Sequence, residues 1–344
     1  MEFLSPIADS LQYPKPKILG VPQKIPEGAD QVRTSQAHVG GFLLDCGRSA
    51  LYIIAKVLKD KRVWVPAYHC PALVQPFLAV GAEVKCYPLL SNLHADIDAF
   101  KAELKKEDVF VAVRYFGIDG DIHELVDLCN EKQLVLVEDL AHAAFVKNIQ
   151  GQFAIKSLTK FYPNLLCGEL LFGENCQFKR ETLSVYEALP GWWGVKLKQL
   201  IGSFRARIGI PKIRPHRYLD LSTLTNYLPP KTLEIVRNCD VAEMSIRRRL
   251  NYLHLLHHLN GSPYGTPLYS TLSDSEVPYV FPFLAKDDSV FGKLRYAGIQ
   301  VFRWEEIAVS GCAISLQYRK TLLQLPCHQD ITQADLDFMI EQLT

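Results

Sequence analysis

The sequence has no stretch of about 18 consecutive apolar residues, so it offers no membrane-spanning helix. Its start, Met1-Glu2-Phe3-Leu4-Ser5-Pro6, lacks the basic residues and apolar core of a secretory signal, and the expected place is the cytoplasm. It has almost no net charge. With 38 Lys and Arg against 37 Asp and Glu, the formal charge is +1, which gives no field to attract nucleic acid. No C-x-x-C pair occurs among the nine scattered cysteines, which read as reduced thiols and neither a disulfide frame nor a metal site. Internal repeats and low-complexity tracts are also missing. What remains is a chain of 344 residues, 48% hydrophobic and 22% charged, long enough for one large domain and a smaller one.

Residues 1–35, rich in Pro, Lys and Gln without a period, read as an extended arm. From 36 to about 230 the pattern alternates. Gly47 to Leu58 predicts a helix opening at a glycine turn, with Leu51, Ile54, Ala55 and Leu58 on one face. Short apolar runs at Val63–Pro66, Glu83–Tyr87, Val109–Val113 and Leu134–Val137 predict strands. Helices over Pro71–Val80 and Asp121–Lys132, the latter with Ile122, Leu125, Val126 and Cys129 inward, separate them. Strands apolar on both faces and divided by helices predict an α/β fold, a mainly parallel sheet covered on both sides. Ligands gather beyond the carboxyl ends of such strands, here Pro66–Cys70, Arg114–Gly117 and Asp139–His142. The stretch 192–217 breaks the rhythm with an apolar helical face including Trp193 and Phe204, and with Lys196, Lys198, Arg205 and Arg207 off it. Residues 231–344 read as a smaller α+β domain. It starts with one long helix over about 231–259, continues with an apolar run at Tyr279–Leu284 and a helix near 288–297, and closes with a helix from about Gln333.

Lys160 closes the run Ser157-Leu158-Thr159-Lys160, and Asp139 and His142 stand about twenty residues upstream in Glu138-Asp139-Leu140-Ala141-His142. A strand ending in a buried acid, followed by a Ser-x-x-Lys turn, suits an enzyme built around pyridoxal phosphate (PLP). The lysine can hold the aldehyde as a Schiff base, and the acid can keep the pyridine nitrogen protonated. A carboxylate after apolar strand residues is costly unless a cation meets it, although a helix N-cap would also account for Asp139. Lys156 is the rival lysine; it lacks a serine at the matching offset. His142 is placed to donate to the ring's phenolic oxygen. Cys46-Gly47-Arg48-Ser49-Ala50 forms a glycine turn that feeds a helix N-terminus, where free N–H groups, the Arg48 charge and the Ser49 hydroxyl suit a phosphate.

On these residues the chain resembles the DegT-like family of PLP-dependent sugar aminotransferases, of the aspartate-aminotransferase fold, over about Gly40–Gly173 and again from Tyr279 to the end. The family's Gly-Thr-Ala-Ala-Leu-like turn is Gly47-Arg48-Ser49-Ala50-Leu51. Its helix ending Gly-Ala closes at Gly81-Ala82, its Glu-Asp-x-Ala-His/Gln strand end is Glu138 to His142, and its Thr-Lys pair is Thr159-Lys160 with Gly168 eight residues later. Leu325-Pro326-Cys327-His328 resembles the family's ending. The resemblance implies Lys160 as Schiff-base lysine and proton shuttle, Asp139 on the pyridine nitrogen, His142 on the ring oxygen, and Arg48, Ser49 and Ser157 on the phosphate. The chain departs from the pattern in four places. The aromatic that stacks on the ring is replaced by Cys70, beside Tyr68 and His69, so His69 and Cys70 join Gly47 among the candidate coenzyme contacts. The paired glycines after the lysine are Cys167-Gly168, followed by Glu169. A strand-end His is Arg114, a candidate for binding a diphosphate or carboxylate. The asparagine loop that reaches the partner subunit is replaced by the 192–217 stretch.

The expected activity is transfer of an amino group from an amino acid, glutamate, to a keto acceptor, which the resemblance makes a nucleotide-linked keto-sugar, in a homodimer. Other PLP chemistry (aldolase, lyase or desulfurase) is the second reading. The third is an inactive PLP-fold binding protein, with the 192–208 face docking to a membrane surface or another protein.

Overall fold

The computed structural model describes residues 1–7, 13–23, 41–162, 165–189 and 224–344. The expected basic segment at 192–217 and about half of the expected arm, residues 8–12 and 24–35, lie outside the described residues. Seven strands form the larger sheet: β1 (Phe42–Leu44), β2 (Val63–Pro66), β3 (Val84–Tyr87), β4 (Val109–Val113), β5 (Val135–Leu140), β6 (Phe153–Ser157) and β7 (Gly168–Phe172). Their order is β1-β7-β6-β5-β4-β2-β3. From β3 to β6 all neighbours are parallel, and β7 pairs antiparallel with both β6 and β1. The continuous apolar runs belong to these inner strands because both faces are covered.

Alternation along each strand sorts the two cores. Val63, Val65, Val109, Val111, Val135, Val137, Phe153 and Ile155 pack with α1 (Gly47–Val57), α2 (Pro71–Ala79) and residues beside α5 (Lys179–Glu187). Trp64, Phe110, Ala112 and Leu136 face the other way, toward α4 (Ile122–Lys132), with the short α3 (Ile97–Phe100) beside them. In α4 the buried residues are Ile122, Leu125, Leu128 and Cys129, so Leu128 takes the inward place expected of the half-buried Val126.

The expected long helix over 231–259 is two helices, α6 (Pro230–Asn238) and α7 (Val241–Leu259). Asp240 makes the break, because its side chain accepts from the Glu243 N–H at 3.0 Å and caps α7. A second, antiparallel sheet follows in the order β10-β9-β8, built from β8 (Gly265–Pro267), β9 (Phe281–Ala285) and β10 (Leu322–Leu325). With α7, α8 (Ser289–Tyr296) and α10 (Gln333–Glu341) it encloses its own core around Tyr252, Phe281, Phe283, Leu294 and Leu336; α9 (Ala313–Thr321) leads into β10. The described parts of the arm are bridged to residues of this smaller body, Phe3 to Ala308 and Ile18 to Ile299, while Phe3 and Leu4 also pack on the cores of the larger sheet. Among the described residues no helix is long and apolar enough to cross a membrane.

Candidate active site

The carboxyl ends of β4, β5 and β6, together with the N-termini of α1 and α2, surround a cavity of about 330 Å³. Gly47, Arg48, His69, Cys70, Asp139, His142, Ser157 and Lys160 all line it. Of the candidate coenzyme contacts named from sequence, only Ser49 does not. Ser49 is fully buried and its hydroxyl donates to the Asp45 carboxylate; the hydroxyl residues on the cavity wall are Ser157 and Thr159, and the Thr159 hydroxyl is engaged with the Cys167 backbone.

Strand alternation separates the adjacent acids of β5. Asp139 faces the cavity, where its Oδ1 accepts from the Ala141 N–H at 2.8 Å. Burial pushes its carboxyl pKa up, and the nearby Lys160 opposes that. Glu138 points the other way and is fully buried. It accepts from Arg114 Nη2 at 2.8 Å and Nε at 3.1 Å, and from the Gly151 N–H at 2.8 Å. Arg114 also pairs with Asp119 at 2.5 Å. The expectation that Arg114 binds a substrate anion is therefore corrected: the guanidinium neutralises Glu138 and is 6% exposed. Arg114→Met would strand the buried Glu138 charge and cost about 3–5 kcal/mol of folding stability, read by urea denaturation.

His142 is sandwiched between aromatic rings, with its centroid 4.6 Å from Tyr279 at 25° and 5.6 Å from Phe116 at 19°. Its Nδ1 accepts from the Phe116 N–H at 3.4 Å. Burial pushes its pKa well down, so the imidazole is neutral and carries its proton on Nε2. His69 has the opposite tautomer. Its Nδ1 donates to the Cys70 carbonyl at 2.9 Å, its buried Nε2 has no hydrogen-bond partner among the described residues, and burial lowers its pKa to about 4.

Lys160 closes a short 3-10 turn after β6. The turn is pinned to the start of β7, where the Leu158 and Thr159 N–H groups reach the Cys167 carbonyl at 2.9 and 3.4 Å. The Lys160 amine lies 5.4 Å from the Tyr279 ring centroid and makes no hydrogen bond or salt bridge among the described residues. Burial lowers its pKa, while Cys70 and Asp139 pull it back up. The rival Lys156 is spoken for, since its amine donates to the Val146 carbonyl at 2.7 Å.

The N-terminus of α1 has no side-chain cap, so the free N–H groups beside Gly47 and Arg48 face the cavity. Gly168 makes this approach possible. A Cβ there would sit 2.3 Å from the Cys46 carbonyl carbon and 2.5 Å from the Gly47 nitrogen. Gly168→Ala must push the turn away, and the expected result is at least about a tenfold weaker hold on PLP with about 1–3 kcal/mol lost in stability, read by absorbance titration and by urea denaturation.

Two aromatic residues of the smaller body complete the site and were not picked out from sequence. Trp304 lines the cavity and lies 5.3 Å from the His142 ring. Tyr279 lies on the other side of His142. The only local signal for Trp304 is a lone aromatic in the polar run Arg303-Trp304-Glu305-Glu306.

The residues fit PLP. A cavity-lining amine without a hydrogen bond among the described residues, a buried carboxylate with one oxygen held by backbone, a neutral N–H donor and an uncapped helix end match an aldehyde, a pyridine nitrogen, a phenolic oxygen and a phosphate. Among the described residues no group of three or more His, Cys, Asp or Glu is placed to hold a metal ion. The family model described as aminotransferase class I and II matches residues 44–168. Among solved structures, Helicobacter pylori PseC, an aminotransferase involved in the biosynthesis of pseudoaminic acid, superposes with a TM-score of 0.71 at 11% identity, covering 95% of this chain and 98% of that one. The sugar aminotransferase CalS13 from Micromonospora echinospora gives 0.65 at 15% identity, with 89% and 88% covered. A DegT DnrJ EryC1 StrS aminotransferase from Brucella abortus gives 0.62 at 16% identity, with 90% and 87% covered. The chain thus has the fold of these aminotransferases, the fold that the sequence resemblance implies.

Proposed function

We propose that this chain, which has the fold of the class I and II aminotransferases, moves an amino group from glutamate to a keto acceptor of the nucleotide-linked keto-sugar class. The observation that carries the reading is the Lys160 amine, on a half-buried residue and without a hydrogen bond or salt bridge among the described residues, in the same cavity as the Asp139 carboxylate and the open N-terminus of α1. PLP, when bound, supplies an aldehyde to that amine and a ring that draws electrons from the carbon bearing the transferred nitrogen.

The rest is work for the chain's own residues. Burial lowers the pKa of the Lys160 amine and so favours its basic form, the form that takes a proton from the substrate carbon and returns it. Asp139 holds the pyridine N–H, and the Nε2–H of His142 is the donor for the ring oxygen. Gly47, Arg48 and Ser157 hold the phosphate by N–H, charge and hydroxyl. Trp304 closes the cavity on the side of the smaller body and keeps water from the reacting carbon. The sugar aminotransferases among the similar folds support a sugar acceptor, and the resemblance supports glutamate as donor and a homodimer with its sites near the interface.

Mixing the PLP-loaded protein with glutamate tests the reaction type. One pyridoxamine phosphate should form per chain, and a keto-sugar nucleotide should return the coenzyme to its aldehyde form. Aldolase, lyase or desulfurase chemistry would leave the coenzyme unconverted, and an inactive binding protein would stay colourless when PLP is added.

A further inference from the structure

Arg248 is 0% exposed, the most deeply buried cation of the described residues, and no step above uses it. Its Nη1 donates to the carbonyls of Tyr279 at 3.0 Å and Pro278 at 3.3 Å, and its guanidinium lies 4.7 Å from the Phe161 ring centroid. Its Nε and Nη2 have no hydrogen-bond partner among the described residues. A buried guanidinium with two unmet donors is expensive, so the grip on residues 278–279 is what it provides. The same segment is held from the other side. The Tyr279 N–H donates to the Phe116 carbonyl at 2.7 Å. Gly117, at φ +87°, lets the segment pass: a Cβ there would meet the Val277 carbonyl at 2.3 Å and the His142 carbonyl at 3.0 Å.

This clamp fixes one ring between two groups of the site. Tyr279 stacks on His142 at 4.6 Å, while the Lys160 amine lies over its face at 5.4 Å and Phe161 packs on it at 5.6 Å. We propose that Tyr279 is a positioning residue that holds the Lys160 ammonium through its ring face and the His142 imidazole through its stack, and that Arg248 fixes Tyr279 in that place. The smaller body thereby sets the state of the reactive amine. The proposal rests on Lys160 being the coenzyme's amine, but its test needs no coenzyme.

The test is competitive labelling of the Lys160 amine with acetic anhydride in the PLP-free protein across pH, read by peptide mass spectrometry. A ring face favours the cation, so removing the ring favours the free amine. Tyr279→Leu should move the labelling midpoint down by about one pH unit. Tyr279→Phe, which keeps the ring, should match wild type. Tyr279→Met serves the same purpose if the leucine variant fails to fold. Arg248→Lys keeps the charge, but its side chain is one atom shorter than the reach of Nη1 and so loosens the hold on the Pro278 and Tyr279 carbonyls; it should shift the midpoint the same way by less. An unmoved midpoint in both ring-less variants overturns the role of Tyr279, as does an equal shift in Tyr279→Phe. An unmoved midpoint in Arg248→Lys overturns the role of Arg248. Glutamate conversion by the loaded enzyme is measured separately, so failure of this proposal and failure of the aminotransferase reading remain distinct.

Discussion

Lys160→Ala loses at least about 10³-fold in turnover, the effect expected when the group that moves the proton at the substrate carbon is removed, and the protein still folds. The size follows from how the lysine is placed. Its amine lines the cavity and makes no hydrogen bond among the described residues, so its deletion breaks none of those and leaves the β6–β7 turn held by backbone groups of Leu158 and Thr159. Stability is therefore nearly kept while chemistry is lost. The loaded variant also lacks the visible band of a lysine-bound coenzyme. Lys156→Ala is the control. That amine serves the Val146 carbonyl on the other face of β6, so its loss should lower stability and leave the visible band in place. Steady-state kinetics, a visible spectrum and a denaturation curve for each variant read the three effects apart.

Asp139→Ala should weaken PLP binding by about 10²–10³-fold and lower turnover with it. Burial raises this carboxyl's pKa, and the charge is worth holding there only against a cation. Removing one partner of a buried charged pair costs about 3–5 kcal/mol, and about 1.4 kcal/mol is a factor of ten. Asp139→Asn keeps the shape and the acceptor for the Ala141 N–H but offers no charge to a ring N–H. Its folding should match wild type while turnover falls nearly as far as in the alanine variant. Absorbance titration with PLP measures the first effect and single-turnover mixing with glutamate the second. A cap role for Asp139 would show instead as lost stability with coenzyme affinity intact.

The sequence made the inner sheet legible because β2, β4 and β5 are buried on both faces and read as unbroken apolar runs. Gly47, Asp139, His142 and Lys160 were legible because each stands at a strand end or helix start, where local pattern and chemistry coincide. Three things were not. Asp240 looked like one polar residue in a long helix, because a cap is read from the N–H it receives, and that N–H is fixed only by the fold. Arg114 looked like an anion binder because its partner Glu138 lies on a neighbouring strand, and the pairing depends on register. Tyr279 and Trp304 reach the cavity from more than a hundred residues away in sequence, and no local period reports a contact made between two bodies. Ser49 shows the converse. Its place in a phosphate-like turn was visible, but its bond to Asp45 was not.

The most direct measurement is borohydride reduction of the PLP-loaded protein followed by peptide mapping. The account predicts one pyridoxyl group per chain, on the peptide that contains Lys160, and its absence from Lys160→Ala. A protein that stays colourless with PLP, or a stable adduct on Lys156 or on a surface lysine with Lys160 unmodified, would contradict it.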